Sequence, residues 1–283
     1  MKLPPLDYVL PRSLDEAIAL LSHSEGQAKL LAGGQSLMPT LAFRLATPAL
    51  LIDLAAIPGL DRIEITAAGV RLGARVRWVD IEQSEPLRTA HPLLVAAMAH
   101  VAHYQIRNRG TVGGSLAHAD PAAEWPGLCV TCDAIIEVIG PAGSRLIEAG
   151  AFFSGPLSTH LAETEIITSI TLPAWPRGRR WGFQEFSRRR GDFALAGIAL
   201  HYDTDAAGGV VDPHIGVIGA CHSPHRLRAA EQAISGQVLD DVLIEACAQA
   251  GSAEVDPPTD LHGSARYRRA LVHAMLSRAL QQA

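Results

Sequence analysis

Apolar and polar positions change period several times along the chain, and each change marks an element. Ser13-Leu-Asp-Glu16 has the form of a capping box, and Ala17, Ile18, Leu20 and Leu21 follow at helical spacing. Asp15 and Glu16 suit the positive end of such a helix and need no catalytic explanation. The short apolar run 28–32 closes on Gly33-Gly34 and reads as a buried strand. A short helix over about 37–45 leads to a second buried strand at 49–54, so the chain opens as β-α-β on a small parallel sheet. From Leu60 the pattern alternates, and 61–65 and 70–74, joined by Ala67-Ala-Gly69, predict a hairpin. An alanine-rich helix is expected over about 92–104, then strands at 134–139, 145–148 and 165–172.

Pro173-Ala-Trp-Pro176 and the basic stretch 177–180 form the best linker candidate. Beyond it, strands are expected at 182–188, 195–202 and 214–219, then helices at about 225–235, 239–250 and 264–281. No internal repeat is visible. The pattern is α+β: one larger unit to about residue 175, then a smaller unit of a three-stranded sheet with helices.

Composition narrows the classes. With 48% hydrophobic and 19% charged residues over 283 positions, the chain is long enough for two cores and is not disordered. A formal net charge of -5 and only 5% aromatic residues argue against a nucleic-acid binder. No apolar run approaches the ~20 residues of a membrane helix. The N-terminal residues lack a secretory pattern, so a cytoplasmic protein is expected. Four cysteines at 129, 132, 221 and 247 are too few for a disulfide scaffold. Cys129-Val-Thr-Cys132 has no second C-x-x-C, so buried apolar thiols are expected there rather than a metal or redox pair. The pairs His100/His103 and His222/His225 have no nearby carboxylate to complete a metal site. Arg188-Arg-Arg190 reads as a solvated face, with phosphate or partner contact as its alternative.

Two segments carry candidate chemistry. Lys29-Leu-Leu-Ala-Gly-Gly-Gln-Ser36 runs from a strand through Gly-Gly into a helix. Arg109-Gly-Thr-Val-Gly-Gly-Ser115 reads as a second Gly-Gly turn between structured stretches. Adjacent glycines let successive amides point into one concavity and form a nest for anionic oxygens, so two such loops could grip a diphosphate from opposite sides. Neither G-x-G-x-x-G after a strand nor a P-loop is present, which disfavours a Rossmann or P-loop site.

These residues resemble the FAD-binding medium subunit of the molybdenum hydroxylases, which include aerobic carbon monoxide dehydrogenase and xanthine dehydrogenase. Ala32-Gly-Gly-Gln-Ser36 is similar to the family's first FAD loop, and Thr111-Val-Gly-Gly-Ser115 to its second. Leu116-Ala-His-Ala-Asp-Pro-Ala-Ala-Glu124 continues the second motif. The likeness runs on through Phe152-Phe-Ser-Gly155, Thr159-His-Leu161, Glu165-Ile-Ile167, Gly191-Asp-Phe-Ala194 and Ser264-Ala-Arg-Tyr-Arg268, so it covers the chain. It implies a two-subdomain FAD-binding fold of the PCMH/vanillyl-alcohol-oxidase type over 1–175, with subdomains of about 1–57 and 58–175. A CO-dehydrogenase-flavoprotein-like domain would span 180–283.

The resemblance further implies that FAD is held by Leu30, Leu31, Ala32, Gly33, Gly34, Gln35, Ser36, Thr111, Val112, Gly113, Gly114 and Ser115. Val101, Ala102 and Asp120 belong to the same implied set, with Leu161 and Ile167 lining the isoalloxazine and Gln184 where relatives often carry lysine. Ser115 departs from the more usual asparagine and implies a shifted contact; Gln184 removes a positive charge and bears on potential and acceptor. No catalytic residue and no metal ligand is implied. The implied role is electron transfer from a small subunit with [2Fe–2S] clusters, beside a large molybdopterin subunit, to an external acceptor, in a dimer of heterotrimers. The implied location is the cytoplasm, including the inner membrane face reached through the complex. A stand-alone FAD oxidoreductase on the same fold and a non-enzymatic module are the alternatives.

Overall fold

The computed structural model describes residues 3–283. Its first sheet is parallel, in the order β1-β3-β2, from β1 (Asp7–Val9), β2 (Ala28–Leu31) and β3 (Leu50–Asp53). Helix α1 (Leu14–His23) starts where the capping box predicts, with Ser13 Oγ accepting from the Glu16 amide. Glu16 reaches back one residue further than a standard box, accepting from the Arg12 amide at 2.8 Å. Helix α2 (Leu37–Ala42) is shorter than expected. Ala17, Ile18, Leu21, Ile52 and Leu54 form this unit's core.

The predicted hairpin is β4 (Ile63–Thr66) and β5 (Gly69–Gly73). Short helices α3 (Trp78–Glu82) and α4 (Glu85–Ala90) follow, then α5 (Pro92–Met98). The expected 92–104 helix is not continuous. It ends at Met98, Ala102 takes a left-handed φ of 44°, and the chain restarts as α6 (Tyr104–Arg107). The Gly-rich stretch read as a turn is instead α7 (Val112–His118), capped by Thr111. Helix α8 (Glu124–Thr131) is buried at every position, so it has no polar face from which a period could be read.

Strands β6 (Ile135–Gly140) and β7 (Gly143–Glu148), the small pair β8 (Phe153–Gly155) and β9 (Ser158–Thr159), and β10 (Ile166–Pro173) complete this part. The second sheet is antiparallel, in the order β4-β5-β10-β6-β7. The last part holds β11 (Arg180–Phe186), β12 (Ala196–Thr204), β13 (Val210–Ile218) and β14 (His225–Arg226), then α9 (Arg228–Ile234), α10 (Asp241–Glu254) and α11 (Ala265–Gln282). The C-terminal sheet is therefore four-stranded, not three-stranded. Residues 225–226, expected to begin a helix, pair with Val217 and Gly216, and the Leu227 amide donates to Ile215.

The middle core, with Leu72, Leu94, Met98, Leu116, Trp125 and Phe152, also takes Phe183, Ala199 and Ile218 from the C-terminal sheet. Phe183 and Ile218 each contribute about 1.5–3 kcal/mol by burial, so this shared core binds the two parts together. The connection at 173–180 is fastened rather than free. Trp175 packs between His91 and His201, with ring centroids at 4.5 and 5.4 Å, and Arg179 bridges to Asp203 at 2.7 Å. All four cysteines are buried free thiols, and burial pushes each of them up, Cys221 and Cys247 to about 12.

Candidate cofactor site

The first Gly-Gly segment leaves β2 beside β3 and turns before α2. Gly34 has φ of 72°, a left-handed conformation that glycine adopts without strain. Gly33 is needed for a different reason. A Cβ there would fall on the Arg109 carbonyl and 2.9 Å from the Gly110 Cα. The carbonyls of this turn are engaged: Gly34 accepts from Met38, Ser36 from Thr40, and Gly33 from Gln35 Nε2. The backbone amides of residues 33–36 find no acceptor among the described residues. Four successive donors on one turn, next to a buried Gly33, are a cradle for a multiply anionic group.

The second segment differs. Its amides are satisfied within the protein: Val112 donates to Val76 and Gly113 to Ala74, while Gly114 donates to Thr111 Oγ1 and Ser115 to the Thr111 carbonyl. A Cβ on Gly113 would lie 2.6 Å from that of Ala74, so this glycine allows α7 to approach β5's end. What the segment offers a ligand is the hydroxyls of Thr111 and Ser115. The two segments meet directly, because Arg109-Gly110 presses on Gly33 and a Cβ on Gly114 would lie 3.8 Å from Ala32's.

The remaining implied residues lie on other elements. Leu30 and Leu31 close β2 and lead into the first turn. Asp120 follows the left-handed Ala119 that ends α7, and its Oδ1 accepts from the Ala122 amide. The Leu157 amide donates to Ala119, which ties the β8–β9 pair to α7, and half-buried Leu161 follows that pair. Ile167 is only 5% exposed and lies in β10 opposite Val138. Gln184 sits in the C-terminal sheet, with its Nε2 donating to Gln282 Oε1 at 3.1 Å. Val101 and Ala102 form the break between α5 and α6.

A cavity of about 330 Å³ lies beside that break, lined by Ala99, His100, Glu185, Phe186, Ser187, Arg190 and Gly191, and it includes neither Gly-Gly segment. Burial, and then repulsion from neighbouring carboxylates, pushes Glu124 and Glu185 up. Sequence reading missed Arg107, Glu82, Glu185 and the His91–Trp175–His201 stack, and took Glu124 only as the end of the second motif. Glu82 lies 25 residues from Arg107, the stacked rings lie further apart still, and the role of Glu185 depends on burial, so no local spacing signals them. Among the described residues, no group of three or more His, Cys, Asp or Glu side chains is placed to hold a metal ion.

Residues 4–175 match the family model described as FAD binding domain in molybdopterin dehydrogenase, and residues 181–283 match CO dehydrogenase flavoprotein C-terminal domain. The chain is 43% identical to the nicotine 6-hydroxylase medium subunit of Paenarthrobacter nicotinovorans, over 100% of this chain and 99% of that one. It is 36% identical to the carbon monoxide dehydrogenase medium chain of Hydrogenophaga pseudoflava, covering 99% and 97%. Among solved structures, carbon monoxide dehydrogenase from Hydrogenophaga pseudoflava superposes with a TM-score of 0.97 at 37% identity, covering 100% of this chain and 98% of that one. Quinoline 2-oxidoreductase from Pseudomonas putida 86 gives 0.95 at 35% identity, covering 100% and 98%. The paired Gly-Gly segments, the matched domains and the full-length relatives agree, and the chain belongs to the FAD-binding medium subunits of the molybdenum hydroxylases.

Proposed function

We propose that this chain is the FAD-carrying electron-transfer subunit of a heterotrimeric molybdenum hydroxylase. It works with a small [2Fe–2S] subunit and a large molybdopterin subunit and delivers electrons to an external acceptor. The observation that carries this reading is the set of four acceptor-free amides at 33–36, facing a second segment whose backbone is already satisfied. That donor set fits a diphosphate: Gly33, Gly34, Gln35 and Ser36 would hold its oxygens, and the Thr111 and Ser115 hydroxyls would close on it from the other side. FAD, when bound, supplies the exchange of electrons; the chain supplies position and electrostatics.

Residues 1–175 form the FAD part, divided near residue 57, and 180–283 the part that packs its sheet on the middle core. Val101, Ala102, Asp120, Leu161 and Ile167 would border the ring system from the break, the α7 end and β10. Gln184 places a neutral amide, already bonded to Gln282, where a lysine would add a charge. The complex works in the cytoplasm as a dimer of heterotrimers; among the described residues no helix is long and apolar enough to cross a membrane.

Titrating the purified full chain with FAD tests the reading. Saturable uptake near one FAD per chain, with electrons accepted only through the partner subunits, is the expected result. Failure to take up FAD would sink it, and substrate turnover by the isolated chain would replace it with a stand-alone oxidoreductase.

A further inference from the structure

The stretch from Val101 to Thr111 links the α5 end to the second Gly-Gly segment, and Glu82 of α3 and its N-cap Arg77 hold it at two places. Arg107, the last residue of α6, folds back on the break before its own helix. Its Nη1 donates to the Val101 carbonyl at 3.1 Å and to the Ala102 carbonyl at 3.0 Å. Its Nε donates to Glu82 Oε2 at 3.0 Å, and the Arg107 side chain is only 14% exposed. One residue beyond α6, the Asn108 carbonyl accepts from Arg77 Nη1 at 3.4 Å, and Arg77 is itself clamped to Asp80 at 2.7 Å. The Arg109 carbonyl and Gly110 Cα then press on Gly33.

Ala102 keeps a left-handed backbone, which a residue with a Cβ adopts only where its surroundings impose it. Arg107 bonds the Ala102 carbonyl from one side. Gly191 leaves room on the other, where a Cβ would lie 2.9 Å from the Ala102 carbonyl and collide with the His103 imidazole.

We propose that Arg107, held by Glu82, is a positioning residue for FAD: it fixes the Val101–Ala102 break and the Arg109–Gly110 floor under Gly33 before the cofactor binds. This rests on the reading that residues 33–36 hold the diphosphate. The guanidinium suits the task because one rigid fork serves two carbonyls and a carboxylate together. A lysine ammonium on a flexible stem keeps the charge but not that geometry. Arg107 touches neither Gly-Gly segment through any hydrogen bond of its side chain, so its effect on the cofactor passes through backbone position.

The test compares full-length wild type, Arg107→Lys, Arg107→Met and Glu82→Gln. It measures the FAD dissociation constant, the visible circular dichroism and midpoint potential of the bound flavin, and thermal unfolding of the FAD-free chain. Arg107→Met should weaken FAD binding about tenfold, the lower end of what loss of an outer-shell partner costs at metal sites. It should also alter the visible dichroism, and the affinity loss should exceed what the accompanying fall in melting of the FAD-free chain accounts for. Arg107→Lys should restore only part of the affinity, and Glu82→Gln should show a smaller loss of the same kind.

Unchanged affinity and dichroism in Arg107→Met would overturn the proposal. So would an affinity loss matched by lower melting of the FAD-free chain and fully restored by lysine, since that is a structural role alone. If Arg107→Met does not fold, Arg107→Lys and Glu82→Gln decide by the same two criteria. Wild type that fails to bind FAD would instead refute the functional reading beneath it.

Discussion

The two Gly-Gly segments look alike as dipeptides and do different physical work. In the first, the carbonyls are engaged and the amides of 33–36 are left over; in the second, the amides of 112–115 are consumed by Thr111, Ala74 and Val76. The difference comes from where each pair sits relative to its helix. The second pair lies inside α7, whose first turn is capped by Thr111, whereas the first precedes α2, whose Ser36 makes no side-chain cap. A Gly-Gly motif therefore has two uses here: one presents donors to a ligand, the other lets backbones touch.

Substitutions can break that contrast. Gly33→Ala should have the largest effect, because its Cβ meets the Arg109 backbone and backbone cannot step aside. We expect about 3 kcal/mol of lost stability together with lost FAD retention. Gly113→Ala, meeting Ala74, should cost about 2 kcal/mol of stability in the FAD-free chain while leaving the FAD affinity of the folded chain unchanged. Chemical denaturation with and without FAD separates the two effects; an FAD-specific loss at Gly113 would show that the second segment also serves as a donor nest.

The pH response extends the contrast to groups buried without a counter-charge. Burial lowers His91 to about 4, and burial with the nearby His214, Arg179 and His91 lowers His201 to about 2. Below about pH 6.5 the unfolded chain binds protons these imidazoles refuse, so each costs about 1.4 kcal/mol of stability per pH unit as pH falls. Glu124 and Glu185 act in the opposite direction. Their raised folded values mean that stability is lost as pH rises above the ordinary carboxylate value of 4.5. The melting temperature should be broadly maximal between these limits and fall on both sides. Glu185→Gln should flatten the alkaline decline; an unchanged alkaline slope would mean that Glu185 is ionised in the folded protein.

Gly34→Ala should be milder, about 1 kcal/mol of stability for its φ of 72°, yet weaken FAD binding about tenfold, because the turn that aims the amides shifts. Equal losses with and without FAD would refute the cradle. Ser115→Ala should be smallest, under about 0.5 kcal/mol in stability, since Ser115 lies on the partly exposed side of α7. Any reduction in FAD affinity there measures what the hydroxyl contributes.

Much of the fold was legible where one element buries one face. Helix α1, the parallel β2–β3 pair and the β4–β5 hairpin stand close to their predicted positions because cap, period and turn agree. Helix α8 was not legible, since a helix buried all round shows no period. The break after α5 was also hidden: Ala99 and Ala102 favour helix, and the Val101 and Ala102 carbonyls are instead bonded by Arg107 from beyond the break. Both Gly-Gly segments were visible as candidates, but which of them kept free amides was not.

The sequence by itself determined the family resemblance, the β-α-β opening, the β4–β5 hairpin and the two segments that meet at the candidate site. These follow from residue type and spacing, which are local. Tertiary structure decided that Gly33 rests on Arg109-Gly110, that Gly113 rests on Ala74, and that Trp175 fastens the 173–180 connection between His91 and His201. It also decided which amides remain unpaired, because a donor is free only when no carbonyl from a distant element reaches it. That is a property of packing and cannot be read from neighbours in the chain.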